Sequence, residues 1–287
     1  MQGEPGTLWV VATPLGNAGD LTPRARDILG RAGLLLCEDT RRAIRLLADQ
    51  GIAQPPEGRR MLSLFDHNEE GRIPQVLAHL DQGGEAALVS DAGTPVLSDP
   101  GYLLVRACLE AGHRVRPAPG PSAVMAALCV SGLAPQPFVF LGFLPRKSGD
   151  VRQALARFAP TGCTLVFFER KDRLAKTLAL ALEVLGERDC VVARELTKTH
   201  EEFLRSRLSE MAAQERELLG EITVVLGPAL EQATADPDMV RRVLEEEARA
   251  GGRPREVARR AAARLPGRTA KELYALLGQG RGGEHVT

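Results

Sequence analysis

Residues 86–101 read AALVSDAGTPVLSDPG. Ala86 to Ser90 are small or apolar, with Leu88 and Val89 at their centre. Such a run reads as a short strand buried on both faces, as in a parallel sheet. It breaks at Asp91-Ala92-Gly93-Thr94-Pro95. Gly93 can take a positive φ and has no Cβ to hold a ligand off the backbone. Pro95 fixes its own φ and pushes Thr94 toward an extended conformation. A second break, Ser98-Asp99-Pro100-Gly101, leads into a helix over Tyr102–Leu109, with Asp99 as its N-cap and Pro100 at its first position. The order is strand, long Gly/Pro loop, helix. An ordinary connection of this kind needs about two to six residues. This one is longer, and open α/β sheets bind ligands outside the carboxyl ends of their strands. The loop therefore reads as a binding loop rather than a plain connection.

The same alternation extends to both sides. Leu8–Ala12 is a strand that ends in the Pro/Gly loop Thr13–Asn17. Thr22 then caps a helix with Pro23 at its first position. Leu34–Cys37 is a second strand, followed by Glu38-Asp39-Thr40-Arg41-Arg42 and a helix to about Gln50. Residues 54–60 read as loop, Met61–Leu64 as a third strand, Ile73–Leu80 as a helix and Arg114–Arg116 as a short strand. Repeated βα units predict a parallel sheet covered by helices. Parallel strands share a direction, so Thr13–Asn17, Glu38–Arg42 and Asp91–Asp99 should meet along one sheet edge and form a composite site.

Pro117-Ala118-Pro119-Gly120-Pro121 holds three prolines and a glycine in five residues. Such a run continues neither a helix nor a central strand. It sets the expected division into residues 1–117, an N-terminal α/β domain, and 118–228, a second α/β domain. Ser122–Val130 opens the second domain as a helix whose first-turn N–H groups are open to a ligand. Strands are expected at 138–141, 164–168, 190–193 and 222–226, with a weaker one at 203–208. Helices are expected at about 149–158, 171–185 and 208–218.

From about residue 229 the pattern becomes helical only. Arg253–Lys271 carries seven basic residues and one acidic. Pro254 starts a helix, Pro266-Gly267 breaks it, and Thr269 to Glu272 forms a capping box for another. Clustered charge of this kind attracts phosphate, so residues 229–287 read as a basic helical tail suited to RNA. A merely solvated charged helix is the alternative.

Composition narrows the function classes. The 287 residues are 44% hydrophobic with a net charge of zero, enough for two sizeable cores. Five Cys without CxxC spacing, most of them in apolar runs, fit reduced thiols in a cytoplasmic protein. The five His show no metal-ligand spacing, so no metal is expected. No apolar run approaches the roughly 20 residues of a membrane span, and the N-terminus lacks a signal-peptide pattern. GxxxxGK[ST], GxSxG, HExxH and GxGxxG are all missing. A central loop without lysine suits a neutral or zwitterionic nucleoside better than a triphosphate.

Seven stretches in register carry a family resemblance: ATPLGN at 12–17, CEDTRR at 37–42, DHNE at 66–69, LVSDAGTPVLSDPGY at 88–102, PGPSA at 119–123, GFLPRK at 142–147 and ARELTKTHEE at 193–202. The sequence resembles the ribosomal RNA small-subunit 2′-O-ribose cytidine methyltransferases of the tetrapyrrole methylase superfamily. GGRPREVARRAAARL at 251–265 and AKELYALL at 270–277 resemble the family's helical tail more loosely. The resemblance implies two α/β domains with S-adenosylmethionine in the cleft between them, a homodimer, and methylation of a decoding-centre cytidine of 16S ribosomal RNA in the small subunit. It implies that Asp91, Ala92, Gly93, Thr94, Pro95 and Ser98 line the methionine and ribose part of the cofactor. Ser122 and Ala123 would meet it from the other side, and Phe168, Glu169, Leu196 and Thr223 would wall the adenine. The chain departs from the family pattern at Arg170-Lys171-Asp172, at Gly19 and at Leu226-Gly227-Pro228.

Methyl transfer to a hydroxyl is an in-line displacement that needs alignment and a proton acceptor. Glu38 and Asp39 are the candidate bases, with Asp91 a further one, and either of the first two could instead cap the helix beyond. Arg24, Arg41, Arg42, Arg146 and Lys147 are candidates for RNA phosphate contacts, as are Arg253, Arg259 and Arg260 in the tail. Lys198 could orient the hydroxyl or a phosphate. Two other readings stay open: carbon methylation of a corrin or porphyrin, and a non-catalytic RNA-binding or ribosome-assembly protein.

Overall fold

The computed structural model describes residues 5–52, 60–214, 219–229, 237–265 and 268–279. Residues 1–229 form one compact unit and residues 230–287 another. The first unit contains two five-stranded sheets.

The first sheet is built from β1 (Thr7–Val11), β2 (Leu34–Cys37), β3 (Arg60–Ser63), β4 (Glu85–Val89) and β5 (Arg114–Ala118). Their order is β3-β2-β4-β1-β5, and every pairing is parallel. β4 and β1 sit at the centre, so the loop after β4 leaves from the middle of the sheet's carboxyl edge. Side chains alternate across the strands. Trp9, Val11, Leu35, Cys37, Ala87 and Val89 pack on one face against α1 (Pro23–Arg31) and α2 (Thr40–Asp49). Leu8, Leu34, Leu36, Ala86 and Leu88 pack on the other against α3 (Glu69–Leu80) and α4 (Tyr102–Glu110). Burial on both faces explains why these strands read as apolar runs.

Three expectations change here. β5 continues through Pro117 to Ala118, so the boundary drawn at residue 117 falls inside a strand. Proline is tolerated there because β5 is an edge strand, where a missing N–H breaks no central ladder. α3 begins at Glu69 rather than Ile73. Asp99 does not cap α4. Gly101 is the N-cap, at φ 125, and the buried Glu69 carboxylate accepts the Leu104 N–H at 2.9 Å.

The second sheet contains β6 (Phe138–Phe143), β7 (Thr164–Arg170), β8 (Asp189–Arg194), β9 (Glu202–Arg207) and β10 (Glu221–Leu226), in the order β6-β7-β10-β8-β9. Only the β6–β7 pair is parallel; the other pairings are antiparallel. One face packs on α6 (Ser148–Ala156), α7 (Leu174–Leu185) and α8 (Leu208–Ala212) through Leu165, Phe167, Val192 and Val224. The other, through Val166, Val191, Ala193 and Val225, packs on α5 (Ala123–Val130). The part of the expected helix 208–218 beyond residue 214 lies outside the described residues, as do residues 54–59 of the expected loop.

The second unit holds α9 (Pro237–Arg249), α10 (Pro254–Arg264) and α11 (Ala270–Gln279) around Val240, Val243, Leu244, Ala258, Ala261, Leu265 and Leu273. The expected break at Pro266-Gly267 lies outside the described residues. Thr269 and Glu272 exchange the two hydrogen bonds of a capping box. All five cysteines are free. Cys37, Cys108 and Cys190 are buried, which pushes their thiols up to about 12, 11 and 12.

Candidate active site

The loop after β4 is tied down on two sides. Thr13 and Gly93 form an antiparallel bridge, N–H to carbonyl in both directions at 2.8 and 3.1 Å. The Thr13 hydroxyl also donates to the Ser90 carbonyl at 3.2 Å. Thr94 donates to the Pro121 carbonyl at 2.9 Å, which binds the loop to the crossing into the second sheet. Gly93 sits at φ 81, where a side chain is strained, and an added Cβ would lie 3.0 Å from Leu15.

Around this loop lies a cavity of about 870 Å³. From the first sheet it is lined by Leu15, Glu38, Arg42 and the loop residues Asp91, Ala92, Gly93, Thr94, Leu97, Ser98 and Asp99. From the second part it is lined by Ser122 and Ala123 at the start of α5, by Phe143, by Pro145-Arg146, by Phe168 to Arg173 and by Gly220 to Thr223. The strand ends expected to meet therefore do meet. Phe168 packs edge-on to Phe140 at 5.0 Å and tilted to Phe143 at 5.4 Å, an aromatic wall with Phe143 half-exposed.

Charged side chains stand on both walls. On the first-sheet side stand Glu38, Asp91 and Asp99. Burial and the Asp91 charge push the Glu38 carboxyl up, while a hydrogen bond from the Asp91 backbone pulls it down. Its Oε1 is buried with no partner. Burial, reinforced by the Glu38 charge, pushes Asp99 up to about 7. Arg42 answers this wall with an ion pair to Asp91 at 3.0 Å. The opposite side carries Arg146, Arg170, Lys171 and Arg173 together with Glu169, Asp172 and Glu221.

Several candidate residues take other places. Asp39 does not line the cavity. It is the N-cap of α2, accepts the Arg41 N–H at 2.8 Å and pairs with the Arg41 guanidinium. Both are therefore occupied with each other, and this contact holds the Asp39 carboxyl at about 2. Glu169 is among the lining residues, but its side chain is fully buried. It accepts from the Thr177 hydroxyl at 2.6 Å and the Arg170 N–H at 2.8 Å, with Arg173 at 3.4 Å. Leu196 and Pro95 are buried and do not line the cavity.

The Lys198 ammonium is paired with Glu195 at 3.0 Å and Glu221 at 3.2 Å, and its stem covers Gly16. Arg24 stacks on Trp9, 5.5 Å from the ring centre. Lys147 is exposed at the start of α6. In the tail, Arg253 and Arg259 are exposed, whereas Arg260 is held by Glu247 at 2.7 Å and by the Glu247 and Gly251 carbonyls. Acidic partners are thus present there, supplied by α9. The sequence reading missed Asp99 and Phe143 as cavity residues. Asp99 carried a signal, its place in the loop, but the following Pro100 suggested a cap instead.

Among the described residues no group of His, Cys, Asp and Glu is arranged to hold a metal, and no helix is long and apolar enough to cross a membrane. Two α/β sheets with a cleft at the loop after the fourth strand define the class. A family model for tetrapyrrole (corrin/porphyrin) methylases matches residues 7–212. Among solved structures, the methyltransferase CobJ superposes with a TM-score of 0.60 at 21% identity, over 81% of this chain and 98% of that one. A uroporphyrin-III C-methyltransferase from Thermus thermophilus, in complex with S-adenosylhomocysteine, superposes with a TM-score of 0.55 at 22% identity, over 77% and 97%. These share the fold.

Closer sequence relatives narrow the family. The ribosomal RNA small subunit methyltransferase I of Micromonospora olivasterospora is 47% identical over 236 residues, 81% of this chain and 74% of that protein. That of Xylella fastidiosa is 43% identical over 278 residues, 94% and 98%. The chain belongs to the ribosomal RNA small subunit methyltransferase I family, within the tetrapyrrole methylases.

Proposed function

We propose that this protein transfers a methyl group from S-adenosylmethionine to the 2′-oxygen of a cytidine in the decoding centre of 16S ribosomal RNA. The observation that carries the reading is a single cavity that gathers the Glu38, Asp91 and Asp99 carboxylates on its first-sheet side and the Arg146, Arg170 and Arg173 guanidiniums on the other, where Glu169, Asp172 and Glu221 also stand. Carboxylates stabilise a sulfonium and an α-ammonium, and arginines on the rim attract phosphates. The names of the relatives and the S-adenosylhomocysteine in the T. thermophilus enzyme support the same chemistry.

The residues present fit the cofactor. The backbone of Ala92-Gly93-Thr94 approaches closely because Gly93 has no Cβ. Ser98 and the first turn of α5, Ser122 and Ala123, face the same space. The Phe168 ring with Phe143, and Thr223, offer a flat surface for a base. When bound, S-adenosylmethionine supplies an activated methyl on a positively charged sulfur. The chain's own part is to orient the hydroxyl against that methyl, exclude water and accept one proton. Of the two carboxylates read from the sequence as base candidates, Glu38 lines the cavity and Asp39 caps α2.

Arg146 and Arg170 at the rim, with Lys147 beside them and Arg253 and Arg259 in the tail, would contact RNA phosphates. A small-subunit substrate places the reaction in the cytoplasm. α4 exposes the apolar side chains Tyr102, Leu103 and Leu109, and the loop before it exposes Leu97, which supports a homodimer.

The test is transfer of labelled methyl to unmodified small subunits and to naked 16S RNA, with the product nucleotide mapped. Label on one cytidine 2′-oxygen is the expected result. Label on a base, or only on a tetrapyrrole, would overturn the reading.

A further inference from the structure

Asp99 has no structural task in α4, because Gly101 is the N-cap and Glu69 receives the Leu104 N–H. It instead lines the cavity, half-buried. The segment that carries it has a backbone that L-residues rarely adopt. Val96 stands at φ 76 and Ser98 at φ 72, and a positive φ is a clear outlier for a β-branched residue. Packing holds it there. Val96 joins the cluster around Leu88, and Ser98 lies against Gly142 of β6, where a Cβ would come within 2.9 Å of its hydroxyl. The chain thus spends backbone strain to present Asp99 at the wall of the cleft.

The groups that face Asp99 come from three strand ends. Glu38 follows β2, Asp66 follows β3, and Asp91 with the Ser90 hydroxyl follows β4. Arg42 of α2 is engaged with Asp91. Arg146, Glu169, Arg170, Lys171, Asp172, Arg173 and Glu221 line the same cavity from the other side.

Resting on the ribose-methylation reading above, we propose that Asp99, and not Glu38, is the proton acceptor for the attacking hydroxyl, with Glu38 as the neighbour that tunes it. In the step the O–H bond breaks and its proton passes to an Asp99 carboxylate oxygen. The hydroxyl oxygen forms the new bond to the methyl carbon. The pair of the breaking carbon–sulfur bond stays on sulfur, which becomes a neutral thioether. A base works best when it titrates near the working pH. Burial and the Glu38 charge bring Asp99 to about 7.

Single-turnover transfer to unmodified small subunits, measured from about pH 5.5 to 9, tests this, together with calorimetric affinity for S-adenosylhomocysteine and the carbon-13 carboxyl titration of Asp99. Asp99→Asn is expected to slow transfer by about 100-fold or more and to abolish the acid limb. Its affinity for S-adenosylhomocysteine should stay within about threefold of wild type. Glu38→Gln removes a negative neighbour and should move the limb to lower pH while transfer persists. Wild-type transfer and limb in Asp99→Asn would overturn the assignment, as would a loss of affinity that parallels the loss of rate. If the wild-type protein places no label on any ribose, the methylation reading itself fails. If it does and Asp99→Asn does equally, only this assignment fails.

Discussion

The Arg42 guanidinium stands 3.0 Å from the Asp91 carboxylate, linking the first turn of the helix after β2 to the head of the loop after β4. These two elements are far apart in sequence and meet because β2 and β4 are neighbours in the sheet. Arg42 also lowers the Glu38 carboxyl through its charge. Its side chain is 66% exposed, so the pair itself stabilises the fold by at most about 1 kcal/mol. Arg42→Ala should therefore leave the unfolding midpoint within a few degrees of wild type, roughly what such a loss produces. It should instead move the acid limb of the pH–rate profile upward, because the carboxylates of that wall lose the positive charge of Arg42. Calorimetry and a pH–rate series check the two halves. A large fall in melting temperature without a shifted limb would mean that the contact serves stability rather than the site.

Gly93→Ala tests the loop directly. At φ 81 a Cβ costs about 1–2 kcal/mol, and here it would also press on Leu15 at 3.0 Å. We expect that loss of stability and at least about a tenfold weaker affinity for S-adenosylhomocysteine, about 1.4 kcal/mol. Gly71→Ala is the control. It lies in α3 with nothing within 4 Å of an added Cβ, and it should be neutral or stabilising by about 1 kcal/mol. Denaturant titration and calorimetry on the two variants separate a general glycine effect from the loop's own geometry.

Gly93 also shows how far sequence alone reaches. Its positive φ and the capping of α1 by Thr22 follow from local rules, because each is set by residue type within a few positions, whereas the meeting of the strand ends follows from the shared direction of parallel strands that repeated βα units imply. Asp99 was misread for the opposite reason. Asp-Pro before an apolar run is a good cap signal, but the buried Glu69, distant in sequence, had already taken the Leu104 N–H. Leu196 does not line the cavity, and the Glu169 carboxylate is engaged by Thr177 of the helix packed behind β7, a pairing between separate elements that residue type alone does not reveal. The role of Asp39 was legible only as two alternatives, and its contact with the Arg41 N–H decides for the cap. Pro117 was taken as a break because strand position in a sheet is non-local, and only an edge admits it.

Two neighbouring arginines in the tail should behave differently. Arg260 reaches Glu247 at 2.7 Å and two backbone carbonyls, joining α10 to α9, whereas Arg259 is exposed. Arg260→Ala leaves the two carbonyls without this partner and Glu247 with Arg264 alone of the pair, and should loosen the helical unit, seen as faster amide exchange in α9 and α10. Arg259→Ala should leave exchange unchanged and lower RNA affinity, reducing the slope of log K against log salt by about 1. Equal exchange in both variants would show that the Arg260 contacts carry no stability. An unchanged salt slope in Arg259→Ala would remove that residue from the RNA surface.

The charge placed on Asp99 should be visible in stability as well as in rate. Burial and the Glu38 charge push its folded carboxyl up to about 7, from an ordinary value of 3.8. Between these values the folded chain holds a proton that the unfolded chain has released. Stability contributed through this group is therefore present below about pH 4 and is lost as the pH rises through about 7. Asn carries no such charge. Asp99→Asn should therefore be more stable than wild type at pH 8, with the advantage shrinking steadily as the pH falls to 4. The low-lying Asp39 carboxyl, at about 2, acts in the opposite sense and at lower pH, and it is common to both proteins, so it cancels in the difference. Urea denaturation of the two proteins across this range measures that difference directly. Parallel stability curves would mean that Asp99 ionises as an ordinary surface carboxylate. A gap that opens toward high pH, paired with lost transfer, would show a protein that gives up stability to keep a titratable carboxylate at its cleft.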